Sequence, residues 1–303
     1  MAYVLPDIDL ASARGAAEYV ARLEEIGDEL GAFTPLGPDH ASLFVDGRDT
    51  LLVTFEEVAR LRGRGNGDLP LGLALAARHG WSSLSVVTRA QRWFRDEEVL
   101  DFFDAQIDAA FFENFDRVIF YGSGMGGYAA CALSVAAPGA TVLAIAPQAT
   151  LNPVIAGWDQ RFPHARRLDF RSRFGFAPDM LDAVGQAFVL YDPSRHNDSM
   201  HATLFRRSFV NVIRCPRLGW DTALGLDRIG ALEPLIEMAA RGRLNAPRVY
   251  DLLRKRRTDR EYLEDLVARA ARGGHPALTV VAAQRAMALT PRRTRKPQLA
   301  ATD

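Results

Sequence analysis

The residues with the clearest chemical potential lie between Tyr121 and Tyr128, in a stretch that reads YGSGMGGY. An apolar strand pattern runs into this glycine-rich turn, and a helical pattern follows it. The letters GSGMG have the spacing of G-x-S-x-G, the elbow that lifts a nucleophile above a sheet for acyl transfer, with Gly124 at the apex. The letters GSGMGG also satisfy G-x-G-x-x-G, the turn that binds the pyrophosphate of a dinucleotide. The stretch therefore predicts one of two different chemistries.

The surroundings of the turn favour the elbow. A dinucleotide-binding domain opens with the strand before its glycine turn and places an acidic residue about 20 residues later for the ribose. Here three apolar runs precede the strand that enters the turn, and no acidic residue occurs from Gly122 to Trp158. We therefore interpret the turn as an elbow and predict no cofactor, with dinucleotide binding through GSGMGG kept as an alternative.

Short, continuously apolar runs predict the strands that position this turn. Between several of them lie stretches long enough for crossover helices, such as 97–112 and 125–137. Strands of this kind, connected in this way, form a mostly parallel sheet covered by helices on both faces. The predicted fold class is therefore α/β, and the predicted strands are 41–45, 50–55, 83–87, 117–121, 141–146, 187–191 and 209–214.

The chain is predicted to consist of one domain with additions at both ends. Residues 1–38 form an N-terminal helical segment, because residues 10–30 carry apolar side chains at three- and four-residue spacing. The domain spans 39–238 and includes a lid-like insertion at about 152–185. Helical patterns continue through 239–290, and the basic tail 291–303 is predicted to be disordered.

Composition and charge exclude several classes of protein. Hydrophobic residues make up 48% and charged residues 24% of the chain, as in ordinary globular proteins, and no stretch suggests a membrane span or a signal peptide. Lys+Arg and Asp+Glu balance at 37 each, so neither nucleic acid nor membrane is a predicted partner. Two cysteines are too few for a disulfide framework. We predict a cytoplasmic location, and the strong bias toward arginine over lysine indicates a bacterial source.

The order of motifs resembles the α/β-hydrolases that carry a Y-G-S-S-M-G-G-Y elbow, from about residue 40 to 238. The resemblance implies the fold of that superfamily and descent from enzymes that hydrolyse esters or transfer acyl groups. The matching features are TLLVTF at 50–55, the Trp93-Phe94-Arg95 segment, the elbow, APQ at 146–148, VLYDP at 189–193 and a Leu218-Gly219 turn after the last strand.

The resemblance assigns two catalytic positions to residues that lack the required side chains. It places the nucleophile at Gly124 and the general base at Trp220, and neither residue can perform that role. It places the acid at Asp198, which then has no imidazole to orient. The oxyanion donors that it implies are the N–H of Met125 and that of Phe55 or Glu56. We therefore predict a catalytically degenerate hydrolase that binds a small molecule or a protein.

Ser123 and His201 support an alternative in which the chain is an active hydrolase. Ser123 is the one hydroxyl on the elbow, and His201 with Asp198 three residues earlier forms a pair on one helical face. The competing interpretation places Ser123 in the junction of sheet and helix and makes Asp198 the N-cap of the helix after VLYDP. His196, Asp198 and His201 have no further ligands at a suitable spacing, so no metal site is predicted.

Arginines and aromatic residues crowd the lid between residues 164 and 176. One interpretation is a grip on an anionic ligand or a partner through guanidinium groups, and the other is a solvated lid with an aromatic underside. Trp93 is a candidate pocket residue, and core packing accounts for it as well. The arginines concerned are Arg166, Arg167, Arg171 and Arg173.

Overall fold

The computed structural model describes residues 4–63 and 67–289, and the tail predicted at 291–303 lies outside them. Within these ranges eight strands form one sheet in the order β1-β2-β4-β3-β5-β6-β7-β8. The strands are β1 Gly31–Leu36, β2 His40–Val45, β3 Arg48–Glu57, β4 Trp81–Thr88, β5 Arg117–Ser123, β6 Thr141–Ile145, β7 Gln186–Tyr191 and β8 Val210–Arg214.

Twelve α-helices accompany the sheet within the same ranges, and no described helix has the length and apolar character needed to cross a bilayer. The helices are α1 Ala16–Leu30, α2 Val58–Leu61, α3 Leu71–His79, α4 Glu97–Asp108, α5 Met125–Ala132, α6 Pro153–Ala156, α7 His196–Leu204, α8 Thr222–Arg228, α9 Leu232–Ala240, α10 Ala246–Leu253, α11 Arg260–Arg272 and α12 Pro276–Ala288.

The sheet is mostly parallel, as the sequence predicts. β3 to β8 run parallel to one another, whereas β2 pairs antiparallel with both β1 and β4. Parallel strands are buried on both faces, which is why they are apolar at successive positions and not at alternate ones. The elbow after β5 therefore lies at the carboxyl edge of the sheet, together with the turns after β3, β6, β7 and β8.

Side chains alternate between two cores, one on each face of the sheet. On β5, Phe120 packs into the core that contains α4 and α5, while Ile119 and Tyr121 pack into the core that contains α3, α8, α9 and α10. A third cluster packs α1 against β2. Helices thus cover both faces, and the fold class predicted from the sequence is confirmed.

Some elements differ from their predicted bounds. Residues 31–36 form the edge strand β1, although they fall in the segment 1–38 that the sequence predicts to be helical. Pro35 and a mostly exposed pattern are unlike a central strand and hide this one. α1 begins at Ala16 and not near residue 10. At the other end, α9 and α10 bury Leu235, Ile236 and Val249 against the sheet, so these two helices belong to the core of the domain.

Candidate functional site

The turn between β5 and α5 has the geometry of an elbow. β5 ends at Ser123 and α5 begins at Met125, which leaves Gly124 at the apex with φ 58° and ψ −122°. The Gly124 N–H donates to the Ile145 carbonyl (2.9 Å), and the Gly124 carbonyl accepts from the Tyr128 N–H (3.0 Å). These bonds fix the apex at the carboxyl edge of the sheet, where an elbow presents its nucleophile.

Close packing explains the glycines on either side of the apex. A Cβ at Gly122 would overlap the carbonyl of Gly126, and a Cβ at Gly126 would overlap the Phe55 carbonyl of β3. Among the described residues, a Cβ at Gly124 itself would meet only the Arg60 guanidinium, at 3.8 Å. The apex therefore has room for a side chain, and what suits glycine there is its positive φ and not a lack of space.

An arginine–aspartate pair covers this bare apex. Arg60 extends from α2, and its Nη2 pairs with Oδ2 of Asp221. Asp221 is held in turn as the N-cap of α8, where its Oδ1 accepts the N–H groups of Ala223 (2.8 Å) and Leu224 (3.0 Å). The cation above Gly124 is thus tied to an acid that a helix end fixes in place.

Beside Arg60 the elbow keeps a recess of about 30 Å³, whose lining includes Glu57, Tyr121 and Ser123. Sites for small organic ligands usually measure ~300–1,000 Å³, so this recess has the size of a water site and not of an acyl-substrate pocket. Burial raises the pKa of the Glu57 carboxyl, and the charge of Arg60 offsets part of that rise. As the described residues line it, the recess is too small for an ester substrate.

Phe55 and Glu56 lie inside β3, whereas the resemblance implies an oxyanion loop just after that strand. The Glu56 carboxylate is buried and accepts the Leu71 N–H through both oxygens (3.0 and 2.9 Å), which caps the start of α3. The Phe55 ring packs against Phe103 in the core, at 5.8 Å between centroids. The Met125 N–H, the first of α5, belongs to the group of helix donors that have no partner within the helix.

His201 is buried in α7, and both of its ring nitrogens are engaged. Nδ1 accepts the Ala149 N–H (3.1 Å), so in this tautomer Nε2 carries the proton and donates to Oδ2 of Asp159 (3.1 Å). Burial lowers the pKa of the imidazole, with the Asp159 charge acting in the opposite direction. Trp158 packs on the ring at 4.5 Å between centroids. The side chain therefore has the environment of a neutral, structural histidine.

Asp198 and His201 are joined only through an intervening network. Arg161 donates to both oxygens of Asp159 (Nε to Oδ1 3.0 Å, Nη2 to Oδ2 2.8 Å) and through Nη1 to Asp198 (2.7 Å). The hydrogen bonds from His201 and Arg161 lower the pKa of Asp159 despite its burial. α7 begins at His196 with Arg195 as its N-cap, so Asp198 lies in the first turn and is not the N-cap that the sequence predicts.

Ser123 and Trp220 stay apart from this network. The two partners of the His201 ring are a backbone N–H and a carboxylate, so the ring makes no hydrogen bond to Ser123. Ser123 is partly buried and lines the recess beside Arg60. Trp220, which the sequence resemblance places at the base, is 73% exposed. The structure thus brings Asp198 and His201 near one another and leaves Ser123 outside their hydrogen-bond network.

Trp93 packs between the turn after β6 and the lid. Its indole is buried, donates from Nε1 to Oε1 of Gln148 (3.0 Å) and meets the Phe162 ring edge-on at 4.7 Å between centroids. Gln148 belongs to the APQ motif after β6. The ring therefore joins the β6 turn to the lid, which is a packing role.

The four lid arginines divide into two groups. Arg173 pairs with Glu97 (3.1 Å), Asp101 (2.8 Å) and Asp104 on α4, and Arg166 donates to the side chain of Gln160 and the carbonyl of Gly157. These contacts hold the lid to the domain and to itself. In contrast, Arg167 and Arg171 project from an exposed part of the lid and line, with Arg166, a groove of about 280 Å³.

Several side chains that shape the site carry no local sequence signal. Arg60 and Asp221 are 161 positions apart, and Asp159 and His201 are 42 apart. One available hint is that Asp159 and Arg161 are the first charged residues after Arg117. Among the described residues, no group of three or more His, Cys, Asp or Glu side chains is arranged to hold a metal ion.

No protein-family model and no curated protein matches this sequence. Solved structures with a similar fold include a hormone-sensitive lipase from a metagenome library, at 16% identity and TM-score 0.48 over 77% of this chain and 95% of that one. Carboxyl esterase 2 of Tuber melanosporum has 13% identity and a TM-score of 0.46, over 70% of this chain and 84% of the esterase. The capsule O-acetyltransferase of Neisseria meningitidis serogroup A has 12% identity and a TM-score of 0.45, over 69% of this chain and 96% of that protein.

Likeness at these values carries no argument about activity, because one fold hosts many functions. The described chain itself has the sheet and the strand-turn-helix elbow of an α/β-hydrolase fold.

Proposed function

We propose that this α/β-hydrolase-fold chain is a non-catalytic binding protein that descends from acyl-transferring enzymes. The observation that carries the proposal is the Arg60 guanidinium, which lies over the bare apex at Gly124 and is tied to Asp221. The position next to Gly124, where a nucleophilic side chain would meet its substrate, is occupied by this paired cation. The guanidinium in this place cannot serve as the general base, because it has no lone pair to accept a proton.

The rest of the catalytic apparatus supports the same proposal. Acyl transfer of this type needs a base within hydrogen-bond reach of the nucleophile and an acid that orients the base. Trp220 stands where the base is expected, and Asp198 is engaged by Arg161 (2.7 Å). Recruiting His201 instead would require breaking its bonds to Ala149 and Asp159 and bringing a buried ring into the cleft.

The binding role is proposed for the lid. Arg173 and Arg166 are engaged in holding the lid, so Arg167 and Arg171 are the guanidinium groups that we assign to ligand or partner contact. The groove that they line with Arg166 suits a small anion or an acidic segment of a partner.

Steady-state hydrolysis of p-nitrophenyl acetate and butyrate tests the absence of catalysis. Wild-type protein is expected to release nitrophenol at the rate of an equal concentration of a non-catalytic protein, and a fluorophosphonate probe is expected to leave it unlabelled. Ser123→Ala and His201→Ala should change nothing, and Ser208→Ala and His164→Ala, at two exposed positions, are the matched controls.

A saturable activity would overturn the proposal if Ser123→Ala or His201→Ala abolished it while both controls retained it. Circular dichroism of each variant separates loss of a catalytic group from loss of the fold. That outcome would establish the alternative, an active hydrolase built on Ser123 with His201 and Asp198. Stabilisation by NAD or FAD in a thermal-shift assay would instead support the dinucleotide alternative at GSGMGG.

A further inference from the structure

A second cleft lies at the carboxyl edge of the sheet, and its lining shares no residue with the elbow recess. The turns after β7 and β8 form one wall, and the end of α8 with the first turns of α11 forms the other. Its volume of about 470 Å³ falls in the range of sites for small organic ligands. Arg195, Arg217 and Arg228 all line it.

The acid deepest in this cleft is already saturated with donors. Asp192 is buried directly after β7, and its Oδ1 accepts the N–H (2.8 Å) and the hydroxyl (2.7 Å) of Ser194. Its Oδ2 accepts the backbone N–H of Arg217 (2.8 Å). The carboxylate therefore braces the β7 turn against the β8 turn and leaves the Arg217 guanidinium unpaired with it.

The two acids on α11 are paired as well. Glu261 accepts from Arg228 (2.6 Å), which also contacts Asp259, and Asp265 accepts from Arg269 (2.8 Å). One arginine, Arg228, serves both Asp259 and Glu261, while Arg269 serves Asp265. The α11 wall therefore keeps one net negative charge.

The wall formed by the β7 and β8 turns keeps positive charge to spare. The Arg195 guanidinium makes one hydrogen bond, to the carbonyl of Gly219 (2.9 Å), and the exposed Arg217 guanidinium has no hydrogen-bond or ion-pair partner among the described residues. Arg256 lies 5.5 Å from the centroid of the Tyr262 ring, which lines the same cleft, and adds to the positive potential. Two guanidinium forks therefore face a cavity with donors unused.

The backbone at Arg217 is in a conformation that suits glycine. Its φ is 64°, in the left-handed region, and Gly219 two residues later has φ 108°. An arginine at such a position, locked by its N–H bond to Asp192, is a strained residue of the kind that collects at ligand sites. A glycine would adopt this turn without strain, yet the turn carries an arginine side chain.

We infer that this cleft binds the phosphate group of a small phosphate monoester. Arg195 and Arg217 supply bidentate donors to the phosphate oxygens, and Tyr262 provides an apolar wall for the organic part. The dianion matches two guanidinium groups, neither of which forms an ion pair with a described acid. The inference holds whether or not the elbow is catalytic, since the two sites share no residue.

Isothermal titration of the full chain with inorganic phosphate and with phenyl phosphate, against sodium chloride at matched ionic strength, tests this site. Saturable binding of at least one phosphate is expected, weakened at least tenfold in Arg217→Gln and in Arg195→Gln. Arg217→Gly removes the same guanidinium while easing the backbone, so it separates loss of binding from misfolding. Arg206→Gln, at an exposed arginine outside the cleft, is the matched control.

Wild-type heats equal to those of chloride would overturn the inference, and so would unchanged affinity in Arg217→Gly. Loss of binding in Arg206→Gln as well would also overturn it, because the effect would then follow net charge. The Ser123→Ala variant is expected to bind phosphate with the wild-type affinity, because Ser123 lines the elbow recess and not this cleft.

Discussion

Replacing Gly124 by alanine is expected to destabilise the protein only modestly. At φ 58° a residue with a Cβ costs about 1–3 kcal/mol, and the loss of glycine's freedom in the unfolded chain returns about 0.4–1 kcal/mol. Crowding adds little, since the nearest atom to the new methyl group would be Arg60 Nη1 at 3.8 Å, an ordinary van der Waals distance. The expected loss in free energy of unfolding is about 1–2 kcal/mol.

Gly122→Ala is the contrasting variant in the same turn. Its methyl group would overlap the Gly126 carbonyl, and that carbonyl is fixed at the start of α5 where it cannot move without opening the elbow. Overpacking against rigid backbone makes this change the more severe of the two, at about 3 kcal/mol or more. The pair thus separates backbone strain at the apex from close packing beside it.

Equilibrium unfolding in urea, followed by tryptophan fluorescence, measures both losses. At an unchanged m-value the shift in midpoint reports stability directly. The reasoning is refuted if Gly124→Ala destabilises as much as Gly122→Ala, because the apex would then be crowded and not open. It is refuted equally if Gly124→Ala stabilises the protein, because the apex would then carry no strain.

Three further outcomes are expected. Because burial lowers the pKa of His201 in the folded state, its stabilisation is full above the ordinary value of 6.5 and is lost as the pH falls below it. The melting temperature should therefore drop between pH 7 and 5, and an equally steep drop in His201→Gln would contradict this origin. Burial raises the pKa of both thiols, to about 12 for Cys215, so neither Cys131 nor Cys215 should react with Ellman's reagent at pH 8 before unfolding; rapid reaction of the native protein would argue against burial. Arg95 donates three hydrogen bonds to lid segment 169–173, so Arg95→Gln should accelerate chymotrypsin cleavage of the lid severalfold, and an unchanged rate would deny it that role.

The central strands could be predicted from the sequence because burial on both faces leaves a continuous apolar run. β2 to β8 begin and end within two residues of their predicted bounds. β1 could not be predicted in the same way. Within the described sheet it is an edge strand that pairs with β2 alone and is mostly exposed. Its letters GAFTPL carry the glycine and proline typical of a turn.

The strand-turn-helix at 117–132 was equally accessible to sequence reasoning, since its glycines contact one another within four residues. Gly122 and Gly126 are required by contacts that the turn makes with itself and with β3. The partners of His201 were not accessible, because Asp159 comes from the lid and the Ala149 N–H from the turn after β6. Loops at the carboxyl edge of a sheet meet only once the sheet has formed.

Residue type alone determined that Gly124 carries no hydroxyl and that Trp220 carries no imidazole. Those two facts hold whatever the fold does around them. Only the tertiary structure decided what takes the place of the missing groups. It set Arg60 over the apex and tied it to Asp221, 161 positions away, because the ends of β3 and β8 converge at one edge of the sheet.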